Sequence, residues 1–122
     1  MIVAGFGLRK NATQASLLSA LEKAAAAHVV NAFATPADKA DAPCLVALAE
    51  SRHIPLRAVP LAELHNQQTI TQTATSQLYR GMGSVAEAAA LAAAGPGAQL
   101  QSARHVSNDR KATCAVAIRG QK

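Results

Sequence analysis

Residues 2–7 are uninterruptedly apolar and close on glycine. A short run without polar alternation predicts a strand buried on both faces, as in a parallel sheet. Across 13–27 the spacing changes: Leu17, Leu21, Ala24 and His28 recur at helical intervals, with Glu22 and Lys23 on another face, so a helix is predicted. A second buried strand is predicted at 29–34, closed by Thr35 and Pro36. Residues 43–52 read as a helix that opens on Pro43 and carries Leu45, Leu48 and Ala49 on one face. A third strand follows at 54–59, and Pro60 starts a short helical turn over 61–64.

Residues 66–77 are rich in Gln and Thr without an apolar period, which predicts a long loop or a weak helix. Long loops in compact domains are often functional. The clearest helix covers 84–94: Ser84 and Glu87 have capping-box spacing, and Gly95-Pro96-Gly97 stops it. Two last strands, at 99–106 and 113–119, flank the polar turn 107–111 and predict an antiparallel hairpin. Alternating strands and helices followed by a hairpin predict an α/β fold. The expected form is a three-layer α/β/α sandwich around a mostly parallel five-stranded sheet that ends in the hairpin. One domain over 1–122 is expected, with no internal repeat or linker.

Composition sharpens this picture. Half of the 122 residues are apolar, which excludes disorder. Alanine supplies 30 positions and aromatics only 2%, so the core is built from thin side chains and its helices must approach their neighbours closely. The net charge of +5 favours anionic partners. Cys44 and Cys114 have no CxxC companion and read as small buried residues of a reduced protein rather than as a disulfide or zinc framework. Arg9 and Lys10 interrupt the first apolar run before a signal peptide could form, and no stretch reaches the ~18 apolar residues of a membrane span. A cytoplasmic protein with no membrane partner is expected.

In open α/β sheets, ligands bind beyond the carboxyl ends of the strands, at helix N-termini. Two segments have that address. In GFGLRKNAT at 5–13, Gly5 and Gly7 would let the backbone approach a ligand, and Arg9 offers a bidentate fork to a carboxylate or phosphate, with Lys10 beside it. In YRGMGS at 79–84, Gly81, Gly83 and Ser84 lead into the capping box. Neither is a dinucleotide fingerprint: Lys10 stands where a third glycine belongs, and no acid ends the second strand. No P-loop and no nucleophile elbow occurs. His28, His53, His65 and His105 are dispersed without ligand spacing, so no metal and no cofactor are expected. Arg104, Arg110, Lys111, Arg119 and Lys122 face only Asp109 along the C-terminal stretch, yet the scarcity of stacking aromatics argues against nucleic acid.

Taken together, GFGLRKNAT, TPADKADAPCL at 35–45, Ile54-Pro55-Leu56 with Leu64, Ser76 followed by GMGSVAEAAALAAA, and KATCAVA at 111–117 resemble the CobE/CbiG C-terminal domain family of cobalamin biosynthesis. The likeness covers essentially the whole chain in order and suits the stand-alone form of the domain. It implies a role in corrin-ring construction, with a polycarboxylate tetrapyrrole of precorrin type as ligand and other pathway enzymes as possible partners. The positions that match the family pattern are Gly5, Gly7, Arg9, Lys10, Thr13, Lys39, Ser76, Gly81, Ser84, Glu87 and Thr113; Asn11 and Gly83 complete the candidate binding set.

The chain also departs from the pattern. Leu8 stands where the family often has Cys, Asn11 where it often has Gly, and Ala42 where an acid is expected beside Pro43. Asn tolerates positive φ, so the turn at Asn11 can survive. Losing a thiol and an acid weakens an enzymatic reading more than a binding one. Two readings follow: a carrier or accessory that holds the intermediate without turnover, or a hydrolase acting on a precorrin ring lactone or acyl fragment, with Lys39, Ser76 or Glu87 in the chemistry. No base–nucleophile pair is legible, which favours the carrier.

Overall fold

The computed structural model describes residues 1–26, 28–67, 85–101 and 103–120. Strand β1 (Ile2–Leu8) lies inside the sheet. On one side it pairs in parallel with β2 (Ala32–Pro36), placing Gly5 beside Ala34; on the other it pairs antiparallel with β6 (Ala112–Arg119), placing Gly5 beside Ala115. β2 pairs in parallel with β3 (Leu56–Val59), while β4 (Ala98–Leu100) and β5 (His105–Val106) both pair antiparallel with β6. The order is β3-β2-β1-β6-β4, with β5 also on β6: a parallel core continued by antiparallel strands, as the chain order of helices and hairpin predicts.

Six strands stand where five were expected. The single strand predicted at 99–106 is split into β4 and β5, whose registers on β6 differ, and between them the Arg104 N–H donates to the Glu87 carboxylate, 2.8 Å away. The second strand begins at Ala32 rather than at 29, for Val29 is 78% exposed. Its approach is fixed by Asn31, whose N–H donates to the Ile2 carbonyl (2.8 Å) and whose side-chain oxygen accepts the Ile2 N–H (2.7 Å). The third strand likewise starts later, at Leu56.

Helices α1 (Gln14–Ala25) and α2 (Pro43–Arg52) cover one face of the sheet; α3 (Leu61–His65) and α4 (Val85–Ala94) cover the other. The central strands β1 and β2 are therefore buried on both faces, which is why β1 shows no polar alternation. The two half-cores differ in grain. Beneath α1 and α2 lie Phe6 and Phe33, packed edge to face with centroids 5.1 Å apart, together with Leu17, Leu21, Leu45 and Leu48. Beneath α4 lie Ala32, Ala34, Ala117 and Val3, facing alanines of the helix itself.

That thin layer brings backbone against backbone. A Cβ placed on Gly5 would stand 2.2 Å from the Ala86 carbonyl oxygen and 2.5 Å from the Ala90 nitrogen, so only glycine fits under α4 here. The helix ends at Gly95, whose φ of 95° suits glycine and whose N–H bonds the Leu91 carbonyl at 3.0 Å. Its last turn carries no cation of its own; Arg57 from β3 supplies one by donating to the Ala93 carbonyl at 3.0 Å.

Cys114 is sealed in the core, as expected, whereas Cys44 in the first turn of α2 is half-buried. His53 adopts a left-handed φ of 56° as the C-cap of α2, and His28 closes α1 with its Nδ1 3.0 Å from the Ala25 carbonyl. Among the described residues no group of three or more His, Cys, Asp or Glu side chains could hold a metal ion, and no helix is long and apolar enough to cross a membrane.

Candidate functional site

The carboxyl edge of the parallel core gathers most of the described candidates. β1 ends at Leu8, so Arg9, Lys10 and Asn11 form the turn into α1, and all three are exposed. β2 ends at Pro36, one strand over, and Lys39 follows in a 3-10 turn (Ala37–Lys39), half-buried. α4 runs antiparallel to β1: Ala90 lies over Gly5, while Val85 and Ala86 lie near Gly7, so its N-terminal end arrives at the same edge. Ser76, Gly81, Gly83 and Ser84 lie outside the described residues, as does the loop or weak helix expected at 66–77 beyond Gln67.

Several candidates are already engaged by the protein. The space beside Gly5 is occupied by α4. Beside Gly7, a Cβ would come within 2.7 Å of the Thr113 hydroxyl, which donates to the Gly7 carbonyl at 3.4 Å. Thr13 is the N-cap of α1: its hydroxyl accepts the Ser16 N–H at 3.2 Å, and Ser16 Oγ accepts the Thr13 N–H at 3.1 Å. Glu87, in the first turn of α4, is fully buried and accepts the Arg104 N–H. Asn11 is not among the positive-φ residues, so the turn does not draw on the tolerance expected of it. Among the described residues, Arg9, Lys10 and Lys39 are the cations this edge presents from the strand–helix turns.

The hairpin turn at 107–111 reaches the same edge, which the sequence did not reveal. Leu8 pairs with Ala112, and the ladder extends one rung further through the Arg9 N–H to the Lys111 carbonyl at 2.9 Å. The turn is bolted to α1. Asp109 accepts from the Ser16 hydroxyl (2.5 Å), the Ser107 hydroxyl (2.6 Å) and the Lys111 N–H (3.1 Å). Lys23 donates to the Val106 carbonyl and to the Asn108 side chain, and Ser19 accepts the Asn108 N–H. Donation by Ser107 and Ser16, then by the Lys111 N–H, with the Lys111 charge nearby, lowers the Asp109 carboxyl from 3.8 to about 2. The basic C-terminal stretch is thereby divided. Arg110 and Lys111 sit at this edge, whereas Arg119 lies at the opposite end, its N–H on the Met1 carbonyl. Lys122 is outside the described residues.

Away from this edge, an open groove of about 470 Å³ between Val46, Glu50, His53 and Leu56 flanks the amino end of β3. Burial pushes the Cys114 thiol far above its ordinary value, so it stays protonated beneath α1.

Comparison with known proteins places this geometry. The family model described as cobalamin synthesis G C-terminus matches residues 2–117. The crystal structure of CobE, described as a protein from the cobalamin (vitamin B12) biosynthetic pathway, is 30% identical, with 96% of this chain and 89% of that chain covered and a TM-score of 0.84. Cobalamin biosynthesis protein chiG from Agrobacterium tumefaciens str. C58 is 32% identical over 99% of this chain and 100% of that one, with a TM-score of 0.72. A cobalamin biosynthesis protein G homolog from Sulfolobus solfataricus, at 19% identity and a TM-score of 0.66, shares the fold. Its alignment covers 95% of this chain but 36% of that one. No curated protein sequence matches at comparable stringency. The length of the family match and the identity to CobE and chiG agree with the motifs and the sheet order, and the chain belongs to the cobalamin synthesis G C-terminal family.

Proposed function

We propose that the chain binds a polycarboxylate tetrapyrrole intermediate of precorrin type and holds it as a carrier or pathway accessory. The observation that carries this reading is the grouping of Arg9, Lys10 and Lys39 beyond the carboxyl ends of two adjacent parallel strands, beside the N-terminal end of α4. A tetrapyrrole of this class is a flat apolar macrocycle rimmed by carboxylates. Guanidinium and ammonium groups bind such a rim by charge-assisted hydrogen bonds, without a metal or a nucleotide. Membership in a cobalamin-synthesis family supports that ligand class, as does the pathway named for CobE.

Two observations favour holding over turnover. Glu87, the acid nearest the start of α4, is buried and accepts a backbone N–H, and the Cys114 thiol is sealed in the core and held protonated. Incubating the pure protein with a panel of precorrin intermediates, while following colour and mass, tests the reading. A carrier returns a bound pigment of unaltered mass. Release of a small fragment or a rearranged pigment at substoichiometric protein establishes the hydrolase instead, and failure to bind any member of the panel refutes both.

A further inference from the structure

Beyond Leu8–Ala112, the β1–β6 ladder places like charges across from one another. Arg9 bonds the Lys111 carbonyl through its N–H, and Lys10 and Arg110 are the next residues outward on the two segments. Cations facing one another across a ladder destabilise it. Asp109, close by, offsets part of the Lys111 charge, while its oxygens accept from the hydroxyls of Ser16 and Ser107 and from the Lys111 N–H. Arg110 is moreover held at a φ of 63°, a left-handed conformation that glycine or asparagine adopts with less strain. Repulsion and strain are thus both tolerated at one spot, and the bolts from Ser16, Ser19 and Lys23 of α1 keep the turn from relaxing away.

We infer that Arg110 and Lys111 form a second carboxylate-binding jaw, set against Arg9 and Lys10, so that an anionic rim bound at this edge is gripped from both strands. The inference rests on the polycarboxylate reading above and adds the residues that complete its site. Asp109 is the positioning residue: through Ser16 it fixes the turn that carries the two cations on α1. An anion between the two pairs relieves repulsion among their cations.

Uroporphyrin, a tetrapyrrole with eight carboxylates, serves as the probe, with binding followed by fluorescence titration at low salt. Arg110→Gly and Lys111→Ala are each expected to lower affinity about 5-fold, the scale of a partly exposed ion pair. Arg110→Gly is also expected to leave the melting temperature unchanged or raise it, since glycine relieves the left-handed backbone. That combination separates a binding role from a structural one. Arg119→Ala, which removes a cation at the far end of the sheet, is the control and should bind like the unaltered chain. Wild-type affinity in both jaw variants overturns the inference, and so does an equal loss in Arg119→Ala, which would signal net charge alone. If Arg9→Ala weakens binding while the jaw variants do not, the jaw falls and the polycarboxylate reading stands. No binding by the unaltered chain removes both.

Discussion

Ser16 donates its hydroxyl proton to the Asp109 carboxylate at 2.5 Å, joining the first turn of α1 to a hairpin turn 93 residues further along the chain. The same serine accepts the Thr13 N–H, so helix start, cap and hairpin share one polar knot. Asp109 is the ionised member, its carboxyl lowered to about 2 by Ser107, Ser16 and Lys111. A carboxyl whose folded pKa lies below its unfolded one adds stability that is fully present above the unfolded value. That stability is lost as pH falls through the folded one. The contribution of Asp109 should therefore fade between pH 3.8 and about 2. Asp109→Asn should melt below the unaltered chain at pH 6, and the gap should close as pH approaches 2. A gap that stays constant over that range would show that the carboxylate charge is irrelevant to the knot.

Gly5 is the point where α4 touches the sheet most closely. Gly5→Ala has to force the helix backbone outward, because the added carbon would otherwise stand 2.2 Å from the Ala86 oxygen. Overpacking of this kind costs about 1–3 kcal/mol, and contact with backbone rather than a flexible side chain places the variant at the upper end. Urea denaturation should show a lowered midpoint. An unchanged midpoint would mean that α4 shifts freely on the sheet.

The second half-core makes the opposite prediction. Phe33 is fully buried against Phe6, so Phe33→Ala leaves a hole rather than a clash and should cost about 3–5 kcal/mol. The comparison of Phe33→Ala with Gly5→Ala by the same denaturation assay measures how differently the two faces of one sheet are filled.

At the N-cap of α2, Ala42 provides no side-chain acceptor and Pro43 follows. Ala42→Ser supplies the missing oxygen and should stabilise the protein by about 0.5–1 kcal/mol without altering charge near Lys39. Thermal unfolding checks it; a lowered melting temperature would indicate that the half-buried methyl of Ala42 matters more than the cap.

Thiol chemistry should distinguish the two cysteines. Native protein treated with iodoacetamide at pH 8 is expected to label at the half-buried Cys44 and to leave Cys114 unmodified until denaturant is added, because burial keeps that thiol protonated. Rapid labelling of Cys114 in the native state, read by mass spectrometry of peptides, would show that the layer beneath α1 opens.

For the ligand edge, Arg9→Ala and Lys39→Ala should each weaken tetrapyrrole binding by about 1.5–3 kcal/mol, and added salt should weaken it further. Titration of both variants against one corrinoid at two ionic strengths checks this. Unaltered affinity in both would move the site away from the carboxyl edge.

Much of this protein follows from signals that act over a few residues. Helical spacing in 13–25, Pro43 at a helix start, Gly95 at a helix stop and the unalternating run of β1 each reflect local backbone preferences or burial on both faces, and each appears where its pattern says. The family is legible for a related reason: two of its motifs, at 5–13 and 35–45, lie at strand–helix turns, where conformation and chemistry are set by the same few residues. What lies beyond that range belonged to the tertiary structure. The spacing around Gly5 suggests room for a ligand, and only the packing of α4 shows a helix backbone filling it. The strand expected at 99–106 is two strands of different register on β6, and between them the Arg104 N–H finds its acceptor in Glu87, on another element. The four cations Arg9, Lys10, Arg110 and Lys111 are about a hundred residues apart in the chain, and the antiparallel register of β1 and β6 makes them neighbours. Register between distant strands is chosen by the burial of whole faces, a sum over many side chains that no short window of sequence contains.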